Sequence, residues 1–192
     1  MLSHLRPAFV SMGLFTLLLG LAYPLAVTGV GQAVFPAQAN GSLLRDVKGA
    51  VVGSALIGQP FARAEYLHPR PSAAGNGYDA SASSGSNMGP LNAKLIEREK
   101  AQADVLRAET PGAAIPADAV TTSASGLDPD ISPAYARLQA ARVAKARGVS
   151  KAAVLAVVES QVKPPLLGFI GQPRVNVLAA NRALDARFAK GG

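Results

Sequence analysis

The stretch "SPAYARLQAARVAKARGVSKAAVLAVVES", residues 132–160, predicts two consecutive helices and so decides much of the fold. Ser132 is a good N-cap, and Pro133 suits the first helical position. Gly148 is a typical residue to end the first helix, and Ser150 can cap the second. Because the second helix is the more apolar, we expect it to lie at the centre of the core.

The segments on either side predict further helices and short strands. Asn92 can cap a mostly charged helix, and a final helix is expected to end at about Phe188. The buried contacts of the charged helix would come from its large apolar residues, Leu95, Ile96, Val105 and Leu106. Val51-Val52 and Leu56-Ile57 flank Gly53-Ser54, which indicates short strands or one bulged strand.

An uncharged stretch from Pro7 to Leu44 predicts a membrane span. Its apolar part, "AFVSMGLFTLLLGLAYPLAVTGV" at residues 8–30, is long enough to cross a hydrocarbon core of about 30 Å. A cleaved signal peptide is the alternative, because Ala37-Gln38-Ala39 resembles a cleavage site. The apolar stretch exceeds the roughly 7–15 residues of a signal peptide, which favours a retained anchor. Pro24 is expected to kink this helix.

The basic residues around the span predict its orientation. Arg6 precedes the span closely, whereas Arg45 and Lys48 follow it at a distance, so the N-terminus is expected to stay in the cytoplasm. The predicted organisation is a cytoplasmic N-terminus, a transmembrane helix and an extracytoplasmic domain, residues 1–7, 8–30 and 31–192. The fold class predicted for this single-pass protein of the cell membrane is α+β. One N-terminal transmembrane helix precedes a single mixed domain of several helices and short strands.

Composition excludes several classes of function. The chain has no cysteine, so disulfides, thiol catalysis and cysteine-ligated metals are excluded. Its histidines, His4 and His68, are too few for a typical zinc site. The net charge of +7 would suit a nucleic acid, anionic lipid or simply a soluble cationic surface. The expected location of the domain outside the cytoplasm argues against a nucleic acid, as does the low aromatic content of the chain, 5%.

The segment "VTTSASGLDPDISPAYA", residues 120–136, carries the side chains that most resemble catalytic ones. Ser125 lacks the motifs that would activate a serine nucleophile, such as G-x-S-x-G or S-x-x-K. Asp128 and Asp130 lack the further ligands of a calcium loop. No phosphate-binding glycine motif is present either. We therefore predict a turn and a helix entry here, with no catalytic residue and no metal site.

Residues 68–90 are dense in Gly, Pro, Ser and Asn and have few apolar side chains. This composition favours a disordered linker. The alternative is an ordered, irregular surface in which short polar side chains bond to the main chain.

Four stretches together resemble one family, the C subunit of the bacterial high-affinity potassium-transporting P-type ATPase (KdpC). They are "GSALIGQPF", "RPSAAGNGYDASASSGSNMGP", "VTTSASGLDPDISPAYARLQAARVAKARG" and "LGFIGQPRVNVLAANRALD". Their order and spacing after a single N-terminal span match the family as well, so the resemblance covers essentially the whole chain. It implies that residues 68–90 are ordered.

The resemblance implies a place in a complex that uses ATP to move potassium into the cell. The expected partners are a channel-like potassium-translocating subunit, a P-type ATP-hydrolysing subunit, a small single-span subunit and membrane lipid. Potassium would be the transported ion of the complex, and no cofactor is expected on this chain. The sequence fits an accessory subunit, because it has neither a D-K-T-G-T phosphorylation motif nor a T-V-G-Y-G-like filter.

Two roles are suggested for this family. One is assembly of the complex, with the domain capping the potassium entrance. The other is a catalytic chaperone that raises the ATP affinity of the hydrolysing subunit, in which Gln139 would contact nucleotide. A domain outside the cytoplasm cannot easily meet cytoplasmic ATP, which favours assembly. We then expect Gln139 to lie on the helix surface and contact a partner.

The predicted partner-binding residues lie in the two polar loops and on the basic helix. We expect the loops to form the surface that meets the translocating subunit. The residues are Ser83, Ser84, Gly85, Asn87, Ser123, Ser125, Gly126, Asp128 and Arg142.

Overall fold

The computed structural model describes residues 2–188, which divide at Val52 into two compact units. The smaller unit contains α1 (Leu5–Leu17), α2 (Tyr23–Val34), the short α3 (Pro36–Ala39) and β1 (Leu43–Arg45). β1 pairs with β2 (Val51–Ser54) in a two-stranded sheet. The prediction of a strand at Val51-Val52 is confirmed.

A continuous helical stretch, Leu5–Val34, is 30 residues long and apolar enough to cross a membrane. It is longer than the predicted span, and none of the residues in α1 and α2 is buried. A π-helical turn, Leu18–Ala22, joins α1 to α2, and the Tyr23 N–H donates to the Leu18 carbonyl. Pro24 explains its position: proline lacks an N–H and crowds the carbonyl four residues earlier, so the preceding turn widens.

The larger unit mixes helices with a small antiparallel sheet. Its helices are α4 (Ala93–Glu109), α5 (Pro133–Arg147), α6 (Lys151–Ser160) and α7 (Val177–Arg187). Its strands are β3 (Asp130–Ile131), β4 (Val162–Lys163) and β5 (Arg174–Asn176), in the order β3-β5-β4. This mixture, after one helix apolar enough to cross a membrane, confirms the predicted fold class.

The helix boundaries follow the predicted caps. Ser132 Oγ accepts a hydrogen bond from the Tyr135 N–H, and Ser150 Oγ accepts one from the Ala153 N–H. Gly148 ends α5 in the left-handed conformation, with φ 67°. The described part of the final helix ends at Arg187, one residue before the predicted position.

The core is centred on α5, α6, α7 and β5, and α4 and β3 each add one buried residue. α6 contributes Val154 and Val158, both fully buried. α5 buries six residues and is therefore more central than its basic sequence predicted. Alanines recur every four residues along its buried face, which lets neighbouring elements approach closely. These alanines are Ala136, Ala140 and Ala144.

Two predictions about apolar residues are wrong. Of the four α4 side chains that were expected to be buried, only Leu106 is buried. Ile96 and Val105 are 52% and 55% exposed. Leu56-Ile57 is an exposed turn and not a strand. There the Leu56 N–H donates to Ser54 Oγ, and the Ala55 carbonyl accepts from the Asn176 amide, so these main-chain groups do not pair with a strand.

Candidate partner-binding surface

Residues 68–90 form an irregular segment held by its own side chains, as the resemblance implied, and the linker interpretation is wrong. Ser72 Oγ donates to the Gly126 carbonyl at 2.6 Å and accepts from the Tyr78 N–H at 2.9 Å. The Tyr78 hydroxyl donates to the Arg70 carbonyl. Burial raises the pKa of Tyr78, so this hydroxyl stays protonated and able to donate.

The loop at residues 120–130 packs directly against this segment. The Ser84 N–H and the Ser83 hydroxyl both donate to the Ser125 carbonyl at 3.0 Å. Ser125 Oγ accepts from the Leu127 N–H at 3.1 Å. Ser125, the serine that resembled a nucleophile in the sequence, therefore supports a turn and joins two loops.

Gly126 allows the two loops to approach each other. Its φ is 67°, a conformation that side chains other than glycine rarely adopt. A Cβ at this position would lie 2.7 Å from both the Ala74 nitrogen and the Ser84 carbonyl oxygen. Any larger residue would force the loops apart.

An ion pair between Arg70 and Asp128 lies at the centre of this surface. The Arg70 guanidinium contacts Asp128 Oδ2 at 3.0 Å and donates to the Thr122 carbonyl at 3.3 Å. Asp128 Oδ1 accepts from the Asp130 N–H at 3.0 Å. Both carboxylate oxygens of Asp128 are therefore already bonded, one to Arg70 and the other to the main chain of its own turn.

The other aspartates of this region have comparable structural roles. Asp130 pairs with Arg174 at 3.0 Å. Asp118 accepts from the Ser132 N–H and hydroxyl at 2.7 and 2.9 Å, which orders the entry to α5. Among residues 2–188, no group of three or more His, Cys, Asp or Glu side chains is close enough together to hold a metal ion.

Two clefts lie beside the Arg70–Asp128 pair, and both residues line each of them. One has a volume of about 590 Å³, and its lining includes Leu56, Ile57, Ser83, Ser123 and Ser125. The other has a volume of about 570 Å³, and its lining includes Asp118, Asp130, Ser132, Gln172 and Arg174. We call the first the polar-loop cleft. Its walls combine hydroxyl groups with the exposed side chains of Leu56 and Ile57.

The structure brings most of the predicted partner-binding residues into one region. The members that lie in or between the two joined loops are Ser83, Ser84, Gly85, Ser123, Ser125, Gly126 and Asp128. Asn87 is exposed on the same segment, with φ 52°. Ser123 and Gly126 are buried, so they shape the surface and expose little of themselves.

Arg142 lies apart from the polar loops. Its guanidinium donates to the Ala64 and Tyr66 carbonyls at 2.8 and 3.1 Å and lies 3.7 Å from Glu109. Burial lowers the pKa of this guanidinium, and Glu109 opposes that effect. Arg142 therefore fixes the chain that leads into residue 68.

Gln139 is buried, so its predicted place on the helix surface is wrong; it is only 5% exposed. Its Oε1 accepts from the His68 N–H at 2.7 Å, and its Nε2 donates to the His68 carbonyl at 2.9 Å. Arg142 donates to the same Oε1 at 2.6 Å. The amide of Gln139 thus pairs with the N–H and the carbonyl of a single residue, as a neighbouring strand would.

Asn181 makes the same contact with the preceding residue and was not identified from the sequence. Its Oδ1 accepts from the Leu67 N–H at 2.7 Å, and its Nδ2 donates to the Leu67 carbonyl at 3.0 Å. Asn181 is 1% exposed and Leu67 is fully buried. The available signal was an asparagine on the apolar face of α7, between Val177 and Leu184. We call these two contacts the amide clamps.

The Gln139 clamp holds the main chain of His68, and the His68 residue is half-buried. Burial lowers the pKa of His68, and the nearby Arg142 guanidinium lowers it further. His68 Nε2 lies 3.2 Å from the Arg63 carbonyl oxygen. The imidazole is therefore neutral over a wider pH range than a free histidine, and it is not a candidate acid near neutrality.

Comparisons with known proteins identify the family of this chain. A family model described as "K+-transporting ATPase, c chain" matches residues 5–186. The chain is 76% identical over 192 residues to the potassium-transporting ATPase KdpC subunit of Caulobacter sp. (strain K31), covering 100% of this chain and 98% of that protein. It is 59% identical to the Myxococcus xanthus subunit over 189 residues, covering 97% and 88%. For the Rhodospirillum rubrum subunit the identity is 54% over 190 residues, covering 98% of both chains. The chain therefore belongs to the KdpC family, the c chain of the K+-transporting ATPase.

Proposed function

We propose that this KdpC subunit is a non-catalytic accessory part of the potassium uptake complex. It would assemble and stabilise the channel-like translocating subunit and the P-type ATP-hydrolysing subunit, beside a small single-span subunit. Its larger unit would lie outside the cytoplasm and cap the potassium entrance. The observation that carries this proposal is the polar-loop cleft, a surface fixed by internal hydrogen bonds and edged by exposed apolar side chains.

The construction of the cleft supports docking of a protein. Its hydroxyl and carboxylate groups already bond to each other and to the main chain, so little ordering is needed on binding. Leu56 and Ile57 are 60% and 41% exposed at its edge. Exposed apolar side chains beside fixed polar groups are a composition that protein interfaces use.

The alternative role, nucleotide binding through Gln139, has less support. Both ends of the Gln139 amide bond to the main chain of His68, and its oxygen also accepts from Arg142. Because Gln139 is only 5% exposed, a nucleotide could reach its amide only if the packing around His68 opened and these buried hydrogen bonds broke. Each would cost about 1–3 kcal/mol if the freed group stayed buried.

Charges on the edge of the cleft should prevent docking. We expect the double variant Leu56→Asp/Ile57→Asp to reduce co-purification with the translocating subunit about tenfold or more, because each carboxylate would be desolvated in the interface. The matched control is Ile96→Asp/Val105→Asp, two similarly exposed residues on α4. Equal yields of complex from both variants would contradict the docking surface.

Orientation can be tested independently of docking. A reporter enzyme that is active only outside the cytoplasm, fused after residue 192, is expected to be active, because Arg6 lies close to the start of the span. The same reporter fused before residue 1 is the control and should be inactive. Activity of the N-terminal fusion alone would reverse the orientation and favour the nucleotide role.

A further inference from the structure

An exposed apolar hairpin joins β4 to β5. Leu166 and Ile170 exchange two main-chain hydrogen bonds of 2.9 Å, which fixes the turn between them. The large side chains of this turn are nevertheless 48–77% exposed. We call them the apolar tip: Leu166, Leu167, Phe169 and Ile170. Clusters of exposed apolar side chains mark contact sites for proteins or membranes.

Leu167, at the turn of the hairpin, is an unfavourable residue if only the folding of this chain is considered. Leu167 has φ 55° and Gly168 has φ 83°, as hairpin turns with two left-handed residues require. Asparagine or glycine suits the first of these positions, whereas a bulky side chain there is strained. An exposed leucine at this position gives the fold no packing in return. Its apolar character therefore indicates a use outside the folded chain.

Positive charge is concentrated at the base of the hairpin. Lys163 and Arg174 are register partners in the β4–β5 pair, and like charges in this arrangement repel. Asp130 pairs with Arg174 at 3.0 Å, so the base has two cations and one carboxylate. No Asp or Glu occurs anywhere between Glu159 and Asp185. An anionic group placed near Lys163 and Arg174 would relieve this repulsion.

From this arrangement we propose that the apolar tip inserts into the bilayer interface, with Lys163 and Arg174 contacting anionic lipid headgroups. The apolar tip would reach the acyl chains, and the two cations at the base of the hairpin would lie at the level of the lipid phosphates. This order of apolar and cationic groups matches that of a membrane surface. The same chain contains the helix Leu5–Val34, which is able to span a bilayer. An apolar pocket of a partner protein could also accept the tip, but it would not explain why Lys163 and Arg174 lie opposite each other at the base of the hairpin.

The absence of native cysteine allows a direct test. The full chain, carrying Phe169→Cys labelled with an environment-sensitive fluorophore, is reconstituted into phosphatidylcholine vesicles with and without phosphatidylglycerol. Doxyl-labelled lipid should quench this fluorophore, and quenching should increase with phosphatidylglycerol. A label at Ala101→Cys, exposed on α4, is the control for proximity caused by the span alone.

Two variants separate charge from apolar contact. Lys163→Gln should lower the phosphatidylglycerol-dependent insertion about fivefold, whereas the exposed Lys151→Gln should not. Leu167→Asn should fold at least as well as the parent, because asparagine suits a positive φ, yet it should reduce quenching at Phe169→Cys.

Three outcomes would overturn the proposal. The first is equal quenching at Phe169→Cys and Ala101→Cys. The second is strong quenching at Phe169→Cys by iodide in water, with none by doxyl lipid. The third is a label in the purified complex that is shielded from both iodide and doxyl lipid, which would show that a protein partner covers the tip. None of these results depends on the polar-loop cleft, so they are distinct from a failure of the docking surface.

Discussion

Replacing Asn181 with leucine is expected to lower the free energy of unfolding by about 2–5 kcal/mol. Leucine has the same branching and the same number of heavy atoms as asparagine and is the bulkier of the two, so the change leaves no empty space. The loss arises because the Leu67 N–H and carbonyl would remain buried with no hydrogen-bond partner. Chemical denaturation of the full chain in detergent, followed by circular dichroism, measures this change.

A matched substitution on α4 controls for the loss of an amide. Gln102 is half-buried, and Gln102→Leu should change the free energy of unfolding by no more than about 0.5 kcal/mol. A loss below about 1 kcal/mol for Asn181→Leu would mean that water satisfies Leu67 in the variant.

Gly126→Ala should both destabilise the larger unit and prevent assembly of the complex. We expect a loss of about 2–4 kcal/mol, combining the strain of a positive φ with the overlap of a Cβ on two main-chain atoms. Because Ala74 and Ser84 would move away, the serines of the polar-loop cleft would lose their spacing. The amount of translocating subunit that co-purifies with this variant should therefore decrease together with its free energy of unfolding.

Gly89→Ala is the control for this change on the same irregular segment. No atom lies within 4 Å of a Cβ built at Gly89, and its φ is not in the left-handed region. This variant should be neutral or more stable by up to about 1 kcal/mol. Equal stability of Gly126→Ala and Gly89→Ala would show that the two loops do not need their close contact.

Sequence reasoning succeeded where the structure depends on neighbouring residues. Ser132, Gly148 and Ser150 were identified as helix caps because each acts on main-chain groups within a few residues. The same reasoning failed for Ile96 and Val105. Which side of α4 meets the core is decided by distant elements, and the scattered apolar residues of a charged helix do not specify that side.

The amide clamps could not be predicted for a similar reason. Gln139 and Asn181 bond to main-chain groups 71 and 114 residues away in the chain. A glutamine on a basic helix is usually exposed, and nothing near it in the sequence distinguishes a buried one. The residues of the polar-loop cleft were easier to predict from the sequence, because its serines, glycines and aspartate lie in two compact motifs.

The π-helical turn at Leu18–Ala22 changes which faces the helix Leu5–Val34 offers to its neighbours. A turn closed by a bond from Tyr23 to Leu18 contains one residue more than an α-helical turn. Each residue rotates a helix by about 100°, so a stripe of side chains that begins on α1 continues on a different side of α2. The side-chain stripes of α1 and α2 therefore point in different directions around the helix axis. A helix of this kind can pack against two neighbours, one along each half.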